Sequence, residues 1–272
     1  MQRIILAATI ALLASGCDAS VPPAPAPEPK TSQAPVSRAT PKPQPTAQLP
    51  AGRTEKVKND LYEFEYAYPP KAAAIPALKA LLDKRLATSR AELEKSSKND
   101  QAEAGKNGYP YRAHSSGAKW EVVADLPRWL SLSAEMYEYS GGAHGMTFFD
   151  ALLWDREQNL ARTAADLFIS KAALSAAIRE PFCAALDKER AKRRGEPVNR
   201  QSGDQFDECI DPAEHAVILG SSNGRTFDRI GILVEPYAAG SYAEGTFDIT
   251  LPVTERILGS VKPAYKGEFS VR

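Results

Sequence analysis

From Val57 to Pro69 the chain reads VKNDLYEFEYAYP, with Tyr62, Phe64, Tyr66 and Tyr68 at every second position and charged residues or alanine between them. A period of two sends all four rings to one face, so the stretch is expected to be an amphipathic β-strand. The pattern then changes. In IPALKALLDKRLATSRAELEK, Ile75, Leu78, Leu82, Leu86 and Leu93 recur near helical spacing, and Pro76 suits a first helical turn. Ser96 to Gly117 is polar and aperiodic, so a loop containing an Asn107-Gly108 turn is expected. Strand patterns return over Ala118–Val123, Trp129–Tyr139 and Met146–Trp154. The last two flank a glycine-rich link, the layout of a hairpin, and Gly141, Gly142 and Gly145 are each suited to positive φ there.

Leu174, Ala177, Ile178 and Leu186 mark a second helix over Ser170–Arg194, in which Pro181 predicts a kink or a division into two helices. Its end, Lys188 to Arg194, is rich in cations, which the helix dipole favours without an anionic partner. Strands are expected over Glu214–Leu219, Arg225–Glu235 and Thr246–Leu251, then a short helix over Thr254–Leu258. Strands and helices mix without a regular βαβ alternation. The predicted class is therefore α+β, with antiparallel sheets packed against a few helices in two fused subdomains, residues 53–168 and 169–272.

The N-terminal region is of another kind. MQRIILAATIALLASGCDAS has a basic start, a short apolar run and small residues, the layout of a secretory signal over residues 1–16. Ala14-Ser15-Gly16-Cys17 resembles the lipobox of bacterial lipoproteins, although the usual leucine stands one position earlier, at Leu13. The resemblance implies a mature chain starting at a lipidated Cys17 and held at the membrane of a bacterial envelope, facing the periplasm. Asp18 implies inner-membrane retention in some Gram-negative lineages, so inner and outer membrane both stay open. Residues 17–52 carry ten of the 21 prolines in Val21–Pro50 and almost no large apolar residue, as an extended tether would.

Lys and Arg number 34 and so do Asp and Glu, so charge gives no pointer to nucleic acid. With Cys17 set aside, Cys183 and Cys209 remain, an even pair in an exported chain and hence an expected disulfide. Gly220-Ser221-Ser222-Asn223-Gly224 matches the nucleophile elbow G-x-S-x-G. The elbow needs a helix after its serine, whereas Arg225–Val234 reads as a strand and Asn223-Gly224 as a type I′ hairpin turn. His114, His144 and His215 lie far apart without metal-ligand spacing, and no carboxylate pair stands out among the acidic residues. No cofactor or metal is expected. Glu235-Pro236-Tyr237-Ala238-Ala239-Gly240-Ser241-Tyr242-Ala243-Glu244-Gly245 has the tyrosine-and-small-residue composition of adaptable binding loops.

Tyr139-Ser140-Gly141-Gly142-Ala143-His144-Gly145, then Asp166-Leu167-Phe168 before a helix, then Glu235 to Gly245 leading into Ile249-Thr250-Leu251-Pro252, occur in this order. Together they resemble the extracytoplasmic domain of the lysozyme-binding anti-sigma factor RsiV, which also accompanies a peptidoglycan deacetylase. The resemblance runs from about Val57 to Leu258 and implies an α+β module without catalysis of its own. It departs from the sensor in having a lipid anchor and tether where the sensor has a transmembrane helix and a sigma-binding segment. The implied function is a lipid-anchored envelope binding protein, with lysozyme, another wall hydrolase or peptidoglycan as partner. An enzyme acting on envelope glycan and a structural lipoprotein of an envelope complex are the alternatives. Tyr139, His144, Tyr237 and Tyr242 are the candidate ligand-binding residues, with His144 expected mainly to brace its turn. Alkylation of the unreduced, denatured protein is expected to leave Cys183 and Cys209 unlabelled; recovery of both as free thiols by peptide mass mapping would exclude the bridge.

Overall fold

A computed structural model describes residues 49–272; the signal, Cys17 and most of the proline-rich tether lie outside the described residues. The strands are β1 (Arg53–Lys58), β2 (Tyr62–Tyr68), β3 (His114–Asp125), β4 (Trp129–Tyr139), β5 (Met146–Asp155), β6 (Leu160–Arg162), β7 (Ala216–Gly220), β8 (Arg229–Val234) and β9 (Phe247–Pro252). The α-helices are α1 (Pro70–Ala73), α2 (Pro76–Asn107), α3 (Lys171–Arg194) and α4 (Glu255–Ser260). Strands β1 to β6 form one sheet in chain order, and β7 to β9 form a second. The class is α+β. Every strand pair is antiparallel except β2 with β3, which run parallel because the whole of α2 returns the chain between them.

The tyrosine alternation of β2 is buried as its period predicts, with Tyr62, Phe64, Tyr66 and Tyr68 at 2–3% exposure. Val57–Pro69 is nonetheless two strands, because the Asn59 side chain accepts from the backbone N–H groups of Leu61 (2.9 Å) and Tyr62 (2.8 Å) and turns the chain there. Ser96–Gly117 is a loop only in part. Helix α2 continues to Asn107 and stops at Gly108, whose φ of 71° is a left-handed cap, and β3 begins at His114. The stripe facing the sheet passes from leucines to Ser97 and Ala104, small enough for close packing but invisible as hydrophobic periodicity.

One further expectation is corrected and two are resolved. Helix α3 is one helix rather than two, with Pro181 in its interior. The link between β7 and β8 is an eight-residue loop, Ser221–Asp228, not a two-residue turn; Gly224 has positive φ but Asn223 does not. Asn223 Oδ1 instead accepts from the N–H groups of Arg225 (2.8 Å) and Thr226 (2.9 Å). Ser222 gives its hydroxyl to Asp228, and the chain goes on into β8, so no nucleophile elbow forms.

The buried apolar residues fall into two clusters. One joins the aromatics of β2 and Trp120, Leu130, Leu132 and Trp154 to the leucines of α2. The other joins Ala124, Trp129 and Leu153, from the opposite face of the same strands, to Val217 and Leu219 of β7, the inner side chains of β8 and β9, and Leu174, Ile178, Phe182 and Leu186 of α3. The Trp129 end of the β4–β5 pair is therefore covered on both faces, and the alternation that marks a half-buried strand gives way there to the continuous buried run Trp129–Leu132. Cys183 and Cys209 are bonded, with Cα atoms 5.5 Å apart, and pack on the second cluster.

A buried carboxylate holds this end of the sheet. Asp155, with no exposed side-chain surface, meets Arg128 (3.0 Å) and accepts from the N–H groups of Glu157 (3.0 Å) and Gln158 (3.1 Å). Arg128 also lies 4.7 Å from the ring of fully buried Trp129 and reaches Glu268 at 3.4 Å, tying the first sheet to the C-terminal segment. Burial pushes the Asp155 carboxyl up, but the Arg128 guanidinium and the two backbone donors outweigh it and hold it below the usual carboxylate range. A depressed folded-state value contributes stability that is present above the ordinary aspartate range, near pH 4, and is lost as pH falls through the folded value. Asp155→Asn is expected to lower unfolding stability by about 1.5–3 kcal/mol in denaturant titrations at neutral pH, because Arg128 loses its buried charged partner and keeps only Glu157 and Glu268. The difference from the parent should shrink as the pH is lowered toward 3; a substitution that costs nothing at pH 7 would refute this role.

Candidate functional site

At their other end β4 and β5 run out into the glycine-rich turn. The ladder stops at Glu138 paired with Met146, and Tyr139–Gly145 makes the link. Gly141, with φ of 89°, is its one left-handed position, so Gly142 and Gly145 do not serve the purpose expected of them. Gly145 answers a steric demand: the Tyr137 ring lies across it, and any Cβ there would overlap that ring. The Gly142 carbonyl accepts from Tyr139 Oη (3.1 Å) and from Arg112 Nη1 (3.3 Å), which fixes the bend from inside.

The second half of the site is the chain between β8 and β9. Tyr242 begins a short 3₁₀ turn capped by Ser241, whose N–H donates to Glu244 Oε1 at 3.0 Å. This turn carries the Tyr242 ring onto His144, the ring centroids 3.8 Å apart and the planes 21° from parallel. Tyr242 Oη donates to the Gly145 carbonyl at 3.0 Å. Tyr237 completes the group, its centroid 5.6 Å from Tyr242 and 6.2 Å from His144. His144 Nδ1 lies 3.0 Å from the Gly145 carbonyl oxygen, which only accepts, so Nδ1 carries the proton. Nε2 faces the Tyr237 hydroxyl at 3.4 Å. The structure thus brings Tyr237 and Tyr242 onto a turn more than 90 residues earlier in sequence. Tyr139 stands apart from this stack, bonded within its own turn. Both Tyr139 and His144 also line a cleft of about 400 Å³ between α2 and the sheet, whose walls include Ser89, Ser96, Ser116 and Glu138.

The loop is held from beneath by the cationic end of α3. Arg190, fully buried, donates through Nε to the Ala239 carbonyl (2.7 Å) and through Nη1 to the Glu208 carbonyl (2.9 Å). Arg193 donates to the Glu244 carbonyl, and Arg194 meets Glu244 Oε2 (2.8 Å) and Asp207 Oδ1 (2.6 Å). Burial pushes the Glu244 carboxyl up, yet Arg194 and the Ser241 N–H hold it below its ordinary range. The Lys188–Arg194 run is therefore more than a dipole-favoured end: three of its arginines reach other segments. Sequence reasoning missed these residues because a buried arginine in a charged run has the same letters as a solvated one. Tyr137 and Arg112 were missed too, and only the pairing of Tyr137 with a space-demanding glycine across the hairpin could have suggested the first.

The other histidines lie elsewhere. His114 is buried with Nε2 3.3 Å from Asp100, and His215 Nδ1 lies 3.1 Å from Glu235. Among the described residues no group of three or more His, Cys, Asp or Glu is placed to hold a metal ion, and no helix is long and apolar enough to cross a membrane. What the His144 group offers chemically is flat aromatic area, a phenol and polar backbone, with Tyr237 at 48% exposure and Tyr242 at 37%.

Residues 55–147 match the family model described as deacetylase PdaC. A crystal structure of a DUF3298 family member from Bacteroides fragilis is similar at a TM-score of 0.51 and 17% identity, covering 80% of this chain and 96% of that one. The fold is similar to that of a DUF3298 protein. A DUF3298 family protein from Pseudomonas aeruginosa aligns at 17% identity over 83% of this chain and 98% of its own, with a TM-score of 0.45. No curated protein matches the chain.

The packing of Tyr137 across Gly145 makes a direct prediction. Gly145→Ala is expected to cost about 1–3 kcal/mol in chemical denaturation, and the same change in a Tyr137→Ala background should cost well under half of that. Equal costs in both backgrounds would show that the ring is not what excludes a side chain.

Proposed function

We propose that the chain is a lipid-anchored envelope protein whose folded part binds a macromolecular component of the cell wall, either a wall-cleaving hydrolase such as lysozyme or the wall glycan, and performs no catalysis of its own. The observation that carries this reading is the exposed stack of His144, Tyr242 and Tyr237, assembled from two distant glycine-rich segments and braced by the buried Arg190. Rigid aromatic area with few rotatable bonds suits a recognition surface, because little conformational entropy is lost when a partner covers it. The motif likeness to the lysozyme-binding sensor domain, which also accompanies a peptidoglycan deacetylase, supports the same reading, and residues 55–147 match the family model described as deacetylase PdaC. Lipidation at Cys17 and a proline-rich tether would set this surface away from the membrane.

Calorimetric titration of the purified protein with c-type lysozyme, soluble peptidoglycan fragments and endogenous wall hydrolases is expected to detect binding to at least one of them. Tyr237→Ala should weaken that binding tenfold or more, about 1.4 kcal/mol, while leaving the thermal midpoint within a few degrees of the parent. No binding in any of the three titrations would overturn the proposal, and muropeptide release by the protein alone would assign catalysis in its place.

A further inference from the structure

The disulfide and the tyrosine loop share one side chain. Arg190 is fully buried, and its guanidinium spans the gap between the Glu208 carbonyl, one residue before Cys209, and the Ala239 carbonyl in the middle of the Glu235–Gly245 loop. Its remaining side-chain partner is Asp187 at 3.3 Å, and Nη2 has no hydrogen-bond partner among the described residues. A buried cation with so few acceptors is sensitive to the loss of any one of them. Cys183 sits in α3 two turns before Arg190, so the bond from Cys183 to Cys209 presses the Glu208 carbonyl against the same helix face that carries the arginine. Residues 195–208 otherwise run over the surface, touching the helix through Arg194 with Asp207 (2.6 Å) and the Phe206 carbonyl (3.2 Å) and through Arg200 with Asp187 (2.6 Å), and Arg179 of α3 donates to the Cys209 carbonyl (2.8 Å). Both cysteines are only partly buried, within reach of a small thiol.

We propose that the Cys183–Cys209 bond is a redox-sensitive lock on the tyrosine loop, with Arg190 as the positioning residue that transmits its state. The inference rests on the reading of that loop as the binding surface. A dithiol reductant breaks the Sγ–Sγ bond, each sulfur takes up a proton, and the reductant closes into its cyclic disulfide. Glu208 then leaves Arg190, the guanidinium follows solvent or Asp187, and the Ala239 carbonyl loses its donor. Tyr237 and Tyr242 are left on a loop that keeps its capping box and its Arg193 and Arg194 contacts at Glu244 but has lost its anchor on α3 at Ala239.

The test is amide hydrogen exchange by mass spectrometry on the full chain, oxidised and after treatment with dithiothreitol. The loop carries internally bonded amides at Ala238, Ser241, Glu244 and Gly245 that report its state. Peptides over Glu235–Gly245 are expected to exchange at least tenfold faster in the reduced protein, and peptides over Trp129–Leu132 of β4 at an unchanged rate. Re-oxidation should restore the slow exchange. Arg190→Gln in the oxidised protein should reproduce the fast loop with the bond intact; the reduction arm stands without it if that variant fails to fold. Loop exchange that ignores reduction would overturn the proposal, and so would a β4 strand that accelerates by the same factor, since the bond would then be a staple of the whole fold. The readout needs no ligand, so its failure is separate from failure of the binding titrations.

Discussion

A strand pair that must be covered on both faces at one end organises this molecule. Trp129, Leu130 and Leu132 of β4 and Leu152, Leu153 and Trp154 of β5 are buried, some against α2 and some against the second sheet. Burying one large apolar side chain stabilises by roughly 1.5–3 kcal/mol. Neither layer alone could cover both faces of that run. The two apolar clusters therefore meet through one sheet, and Arg128, clasped by Asp155 and laid on Trp129, sits where they meet. From this fixed end the pair carries its far end out to the glycine turn, beside the cleft under α2, where the turn meets another segment.

That other segment arrives by a different route. The loop after β8 is placed by helix α3, whose apolar face packs on the second sheet while Arg190, Arg193 and Arg194 reach the loop. The helix serves two purposes with one periodicity. The candidate site is consequently a junction between a hairpin anchored in the first sheet and a loop anchored on α3, and its geometry depends on both anchors. Neither Tyr237 nor Tyr242 is positioned by its own strand.

Much of the fold is legible in the sequence, because the period of two in β2 and the leucine spacing of α2 report burial directly. Legibility fails where burial uses small or charged residues. The last three turns of α2 bury Ser97 and Ala104, so a helix looked like a loop. Asn59 and Asn223 act through side-chain hydrogen bonds to nearby N–H groups, and those bonds decide turns that dipeptide rules assign differently. The His144 and tyrosine segments could be singled out by composition and by their resemblance to a known domain. Their mutual contact could not, since it spans more than 90 residues and rests on the buried Arg190.

Tyr237 adopts φ of 70° without being glycine, in a conformation that costs a residue with a Cβ on the order of 1 kcal/mol. Glycine would sit there at no steric cost, and asparagine at little. A chain optimised for stability alone would have placed one of them at this point. The position instead spends stability on a ring that is half exposed and contributes little to either core. Attempts to raise the thermal tolerance of this protein by relieving its backbone would reach this residue early, and would remove the more exposed of the two tyrosine rings beside His144.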